Sequence, residues 1–89
     1  MKIEEISKEC KRWVEFYVPK VWKIDINDQK YKEDIDDAII QSTLECWNYQ
    51  NQHKEKWSEH PEWVIKFLVK RIIFPPKLPD DKNYKIFNI

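Results

Sequence analysis

The chain has 89 residues, of which 42% are hydrophobic and 36% charged, with 16 basic and 16 acidic side chains and no glycine. Phosphate-binding loops, dinucleotide fingerprints and primed hairpin turns depend on the positive φ or close backbone approach that glycine allows, so the composition excludes these motifs. A chain of this length makes one small domain, with about 60% of its unfolded surface buried, and we expect a helical binding module and not an enzyme.

The chain is rich in aromatic residues, and its charges are distributed unevenly along the sequence. Five Trp, four Tyr and four Phe make up 15% of the chain, which is more than a small core needs, so we expect a few rings at an interface. The net charge is +1 over residues 1–33, −5 over 34–62 and +4 over 63–89. Such a layout either presents faces of opposite charge to partners or is simply solvated.

Apolar residues at spacings of three and four predict a first amphipathic helix at about 3–18. These residues are Ile3, Ile6, Cys10, Trp13, Val14 and Tyr17. Pro19 lacks a backbone N–H and disfavours helix at Val18, so we expect the helix to end or kink there. The apolar stretch that follows is predicted to form a short turn or an extended segment under the helices: Val21, Trp22, Ile24 and Ile26.

A second helix is predicted at about 29–51, after the capping oxygens of Asp25, Asn27 and Asp28. Its periodic face comprises Tyr31, Ile35, Ala38, Ile39, Ser42, Cys46 and Tyr49, and its outer face carries Glu33, Asp34, Asp36, Asp37 and Glu45. Residues 48–59 are polar and are interpreted as the helix end plus a loop.

A third helix is predicted at about 59–74, because Ser58, Glu59, Pro61 and Glu62 form a helix-start pattern. Its apolar residues surround it almost completely and are interrupted only by Lys66, Lys70 and Arg71, which is typical of a central or an interface helix.

Prolines at 75, 76 and 79 predict an extended tail over 75–89 after a helical domain at 1–74. The last residues include the apolar Tyr84, Ile86, Phe87 and Ile89, so we expect this tail to dock on its own domain or on a partner. The predicted fold is therefore an all-α bundle of three main helices with an irregular, proline-containing C-terminal tail.

Few residues indicate chemistry. Cys10 and Cys46 are interpreted as buried free thiols in a reducing compartment, with a disulfide between them as the less favoured alternative. His53 and His60 fit exposed loop histidines better than a surface metal site, because no Cys is near and the two do not have the spacing of a helical His pair. We expect no catalytic residue, metal, cofactor or small-molecule substrate. The longest apolar run, residues 63–74, is too short and too charged to span a bilayer, so we expect a cytoplasmic protein that does not insert in membranes.

The predicted third helix carries both aromatic and positively charged side chains. Trp63, Phe67 and Phe74 are spaced to stack on exposed bases while Lys66, Lys70 and Arg71 approach phosphates, as in proteins that bind single-stranded nucleic acid. The other interpretation is that the rings belong to the core and the cations extend from it to water.

Two segments of the predicted second and third helices form a pattern. The first is Asp37-Ala38-Ile39-Ile40-Gln41-Ser42-Thr43-Leu44-Glu45-Cys46-Trp47, and the second begins sixteen residues after Trp47 and is Trp63-Val64-Ile65-Lys66-Phe67-Leu68. Together they resemble region 2 of the sigma-70 family of bacterial RNA polymerase sigma factors. The first helix, with Lys11, Arg12, Trp13, Phe16 and Tyr17, is similar to the family's preceding basic-aromatic helix, so the resemblance covers about 3–74. The sequence departs from the family at Ile40, where Gln is usual, and at the apolar Leu68 and Val69.

The resemblance implies that the second helix docks on RNA polymerase and that the third faces melting promoter DNA, as in a polymerase-binding transcription regulator. The broader hypothesis is a protein-interaction module: a phage or mobile-element inhibitor, an immunity protein or a minor subunit of a larger complex. For protein binding we select Asp36, Asp37, Trp47, Tyr84 and Phe87. For nucleic-acid binding we select Trp63, Lys66, Phe67, Lys70 and Arg71.

Overall fold

A computed structural model of the chain describes residues 1–74. In chain order its elements are α1 (Ile3–Val21), a 3-10 turn (Gln29–Tyr31), α2 (Lys32–Gln52), α3 (Lys54–Glu59) and α4 (Pro61–Ile73). Each pair among α1, α2 and α4 is in contact. The predicted all-α bundle of three main helices is therefore confirmed. The predicted tail at 75–89, with Tyr84 and Phe87, lies outside the described residues.

One continuous core joins the helices, and α1 contributes a buried residue on every turn. The buried apolar side chains are Ile6, Cys10, Val14 and Val18 of α1, Trp22 after it, Ile35, Ala38 and Cys46 of α2, Trp57 of α3, and Ile65, Leu68, Val69 and Ile73 of α4. Their spacing of three and four residues is that of one helix face. Burial of this apolar surface is the main favourable contribution to folding.

The predicted end of the first helix at residue 18 is wrong, because α1 continues through Pro19 to Val21. A proline costs helix stability through its missing N–H and its clash with the preceding turn. Other contacts stabilise the helical turn around Pro19. The Trp22 N–H donates to the Val18 carbonyl at 2.8 Å, and the side chains of Val18 and Trp22 are buried in the core. Packing at the end of α1 therefore outweighs the local preference of proline.

The predicted loop within 48–59 is also wrong, because α2 runs to Gln52 and residues 54–59 form α3. The side chain that explains α3 is Trp57, which is buried in the core although its neighbours are exposed. Ser58 consequently lies inside α3 and does not start the next helix. That helix begins at Pro61, where a missing backbone N–H costs nothing because the first-turn amides have no acceptor within the helix.

The connection between α1 and α2 turns back across the bundle. Lys23 has a φ of 57°, which is uncommon for a residue with a Cβ and ends α1. The Asp25 carboxylate accepts a hydrogen bond from the Asn27 N–H at 2.9 Å, and Asp28 accepts from the Lys30 N–H at 3.0 Å. Asp25 and Asp28 therefore stabilise turns before α2, close to the capping role expected for them.

A buried hydrogen bond ties the ends of α1 and α4 together. The Trp22 indole Nε1–H donates to the Ile73 carbonyl at 3.1 Å. This carbonyl belongs to the last turn of α4, where carbonyl groups have no intrahelical donor. Trp22 thus satisfies a helix end while its ring fills the core.

Replacing Trp22 with Phe removes this donor and leaves the Ile73 carbonyl buried without it. We expect the free energy of unfolding, measured by urea denaturation, to fall by about 1–3 kcal/mol. Trp63→Phe is the matched control because Trp63 is exposed, and we expect it to change stability by less than about 0.5 kcal/mol. Equal effects of the two substitutions would contradict this role of Trp22.

Candidate functional site

The outer face of α4 and the residue that directly follows the helix carry three large aromatic side chains, which we call the aromatic stripe: Trp63, Phe67 and Phe74. Their exposed fractions are 70%, 55% and 44%. Spacings of four and seven residues place them on one side of the helix axis, opposite Ile65 and Val69, which are fully buried. Of the two interpretations of these rings, the structure therefore supports exposure and not burial in the core.

The predicted cations of α4 are exposed, and two of them lie beside aromatic rings. The Lys70 ammonium is 5.9 Å from the centroid of Phe74, and the Lys66 ammonium is 5.4 Å from the centroid of Trp13 on α1. Both distances are within the range of a cation–π contact. Arg71 is exposed on the same helix. The structure thus brings all five residues predicted for nucleic-acid binding onto the exposed part of one helix.

Lys66 also connects α4 to a group of rings on α1. Trp13 stacks on Tyr17 with centroids 5.8 Å apart and meets Phe16 edge to face, also at 5.8 Å. The Lys20 ammonium lies 3.7 Å from the Phe16 centroid. Phe16 is exposed, so α1 adds a second aromatic and basic surface beside α4. Phe16 was not selected as a site residue, although its position outside the Ile6–Cys10–Val14 face was a signal for exposure.

A second exposed apolar surface lies between α1 and α2, and we call it the α1–α2 groove. Its volume is about 520 Å³. The lining residues are Ile3, Glu4, Ser7, Lys8 and Lys11 of α1 and Ile40, Thr43 and Leu44 of α2. Ile40 and Leu44 are 58% and 52% exposed. None of the groove residues was among the predicted site residues, although two aliphatic residues one turn apart and outside the periodic face of α2 were a signal for an exposed apolar surface.

The residues predicted for protein binding do not form one site. Asp36 and Asp37 are both exposed on α2, but Asp36 lines a depression beside Lys11 whereas Asp37 lines a cavity of about 100 Å³ beside Trp22. Trp47 is half-buried and packs against the core. The other two predicted residues lie outside the described residues.

The described residues offer no cluster of metal ligands, and two of their buried hydroxyls are bonded to the backbone. Among residues 1–74, no group of three or more His, Cys, Asp and Glu side chains is placed to hold a metal ion. The hydroxyls of Ser42 and Thr43 donate to the backbone carbonyls of Ala38 and Ile39 at 2.6 and 2.7 Å. These two hydroxyls are therefore committed to the helix. In the same part of the chain, no helix has the length and apolar character needed to cross a membrane.

Comparisons of the chain with protein-family models, with curated proteins and with solved structures found no match. The similarity to sigma-70 region 2 therefore remains a prediction from the residue pattern.

Exposure of the stripe can be measured by fluorescence quenching with acrylamide. Trp22 and Trp57 are buried, Trp13 and Trp47 are half-buried, and Trp63 is largely exposed. We expect Trp63→Phe to remove most of the readily quenched emission. Trp57→Phe, the control, should leave that fraction unchanged. An unaltered quenchable fraction in Trp63→Phe would contradict the exposed position of this ring.

Proposed function

We propose that the protein is a small, non-catalytic protein-interaction module that binds a larger protein through the aromatic stripe of α4. The observation that carries this proposal is the exposure of Trp63, Phe67 and Phe74 on the side of α4 opposite the core. The outer face of a helix in a monomeric protein is normally polar. Neighbouring large apolar side chains that remain exposed typically mark an interaction surface.

The chemistry of the stripe indicates the kind of partner. Trp and Arg are enriched among residues that dominate binding energy, and an indole ring binds best in an apolar pocket from which water is excluded. Lys66, Lys70 and Arg71 surround the stripe with positive charge. We therefore propose a partner protein with an apolar pocket for Trp63 and acidic residues around it. Inhibitor, immunity protein and minor subunit are the roles that fit such a module, with a cytoplasmic location and a phage or mobile-element origin as parts of the same hypothesis.

The alternative is a sigma-region-2-like transcription module that binds RNA polymerase through α2 and promoter DNA through α4. The observation that favours it is the exposure of the stripe rings next to cations, since stacking on bases requires accessible rings and phosphates attract lysine and arginine. Asp37 is exposed on α2, as docking of this helix on polymerase would require. The two proposals therefore share α4 and differ in what it contacts.

Protein binding through the stripe is tested by affinity capture from the native host with the tagged chain. The double variant Trp63→Ala, Phe67→Ala should lose the captured protein, with affinity at least about 30-fold weaker because a hot-spot residue contributes about 2 kcal/mol or more. The matched control Ile40→Ala, Leu44→Ala truncates two apolar side chains of the α1–α2 groove and should retain it. Loss of the protein in the control alone would move the interface to the groove.

The alternative is tested with a single-stranded oligo-dT probe, using fluorescence anisotropy at low and moderate salt. If the module binds only proteins, it should have no affinity for this probe. A nucleic-acid function predicts salt-sensitive binding that Lys66→Glu, Lys70→Glu abolishes. The matched control is Lys54→Glu, Lys56→Glu, which makes the same charge change at exposed positions of α3. Binding that both double variants weaken equally would reflect net charge and not the α4 surface.

A further inference from the structure

Two thiols meet in the core between α1 and α2. Cys10 and Cys46 are both fully buried and both free. Their Sγ atoms are 3.8 Å apart, whereas the S–S bond of a disulfide is about 2.05 Å long. The two sulfurs are in direct contact, and bond formation needs an approach of less than about 2 Å.

We propose that Cys10 and Cys46 are a modification site: an oxidisable dithiol that hydrogen peroxide converts into a disulfide between α1 and α2. This proposal does not depend on the proposed function, because it concerns atoms beneath the surface and not the aromatic stripe.

The hydrogen bond between the thiols makes them unequal. Either thiol can donate to the other sulfur. With Cys46 as the donor, this contact lowers the pKa of Cys10, although burial opposes the shift, and the same contact and burial raise the pKa of Cys46. Since the thiolate is the reactive form of cysteine, this direction of the hydrogen bond makes Cys10 the nucleophile and Cys46 the resolving thiol.

The reaction then balances in two steps. The Cys10 thiolate attacks one peroxide oxygen, an S–O bond forms, the O–O bond breaks, and the leaving hydroxide takes a proton to become water; Cys10 is now a sulfenic acid. The Cys46 sulfur attacks the Cys10 sulfur, the S–O bond breaks, and the departing hydroxide takes the Cys46 proton. The thiols lose two electrons in total, and peroxide is reduced to two molecules of water.

Residues of the α1–α2 groove are neighbours of both cysteines in sequence. Ser7 and Lys11 of the groove flank Cys10 within one turn of α1, and Thr43 of the groove is one turn before Cys46 in α2. Both cysteines are fully buried, so a bulky aromatic disulfide reagent has no surface on either sulfur to attack, whereas hydrogen peroxide is close to water in size. We therefore expect peroxide to react with the folded protein much faster than such a reagent does.

The disulfide would join residues 36 apart in sequence. A cross-link over such a loop restricts the unfolded chain, so the oxidised protein should have a Tm higher on the order of 10 °C. Reduction with dithiothreitol should reverse this shift.

The test treats the folded full chain with hydrogen peroxide, denatures it, alkylates the remaining thiols and measures the intact mass. We expect a monomer that has lost two hydrogens and takes up no alkylating agent, with the higher Tm. Cys46→Ser should instead accumulate a sulfenic acid at Cys10 that dimedone, present during the denaturation step, captures, whereas Cys10→Ser should not accumulate one at Cys46. Two alkylatable thiols after oxidation, disulfide-linked dimers, or stable sulfinic acid in the wild-type chain would each overturn the proposal, and these readouts on the wild-type chain stand even where a variant fails to fold.

Discussion

The close approach of α1 to α2 and α4 through small and medium-sized side chains determines the rest of the structure. The fully buried side chains are Ile6, Cys10, Val14, Val18, Ser42, Cys46, Ile65, Val69 and Ile73. Helix pairs approach to about 8–10 Å, with the distance set by the side chains at their contact. A bundle packed by isoleucine, valine, cysteine and serine leaves little room for indole or phenyl rings. The two deeply buried tryptophans, Trp22 and Trp57, lie where the chain leaves α1 and in the short α3, beside the three main helices.

The aromatic surplus follows from the same constraint. Because the space between helices is filled by aliphatic side chains, further rings are placed outside it, where Trp63 and Phe67 are largely exposed and Trp13 packs partly under Lys66. Exposed rings contribute little to the stability of a domain this small, whose margin is narrow. The exposed rings on α4 are therefore consistent with the proposed role of this helix as an interaction surface.

Sequence periodicity predicted the three main helices and most of the core, because α1 and α2 each have one apolar face. It could not orient α4, which is apolar nearly all round: the spacing shows that Ile65 and Val69 share a face, and that Trp63 and Phe67 share another, but not which face meets α1 and α2. The errors at Pro19 and in α3 have a related cause. In each place a tryptophan, Trp22 or Trp57, is buried in the core against residues distant in sequence. This packing outweighs the secondary-structure preference of the local sequence.

Of the two exposed surfaces, the α4 surface could be predicted from the sequence and the α1–α2 groove could not. The cations and rings of α4 stand out as residue types, so they could be named from the sequence, whereas the α1–α2 groove exists only because Ile3 on one helix lies beside Ile40 and Leu44 on another. The contact between Cys10 and Cys46 is of this second kind, since only the packing of α1 on α2 brings the sulfurs together. The stripe and the dithiol are thus structurally separate: one belongs to the outer face of α4, and the other to the seam between α1 and α2. A covalent link at that seam would fix the walls of the groove relative to each other and leave the side of α4 facing away from the core unchanged.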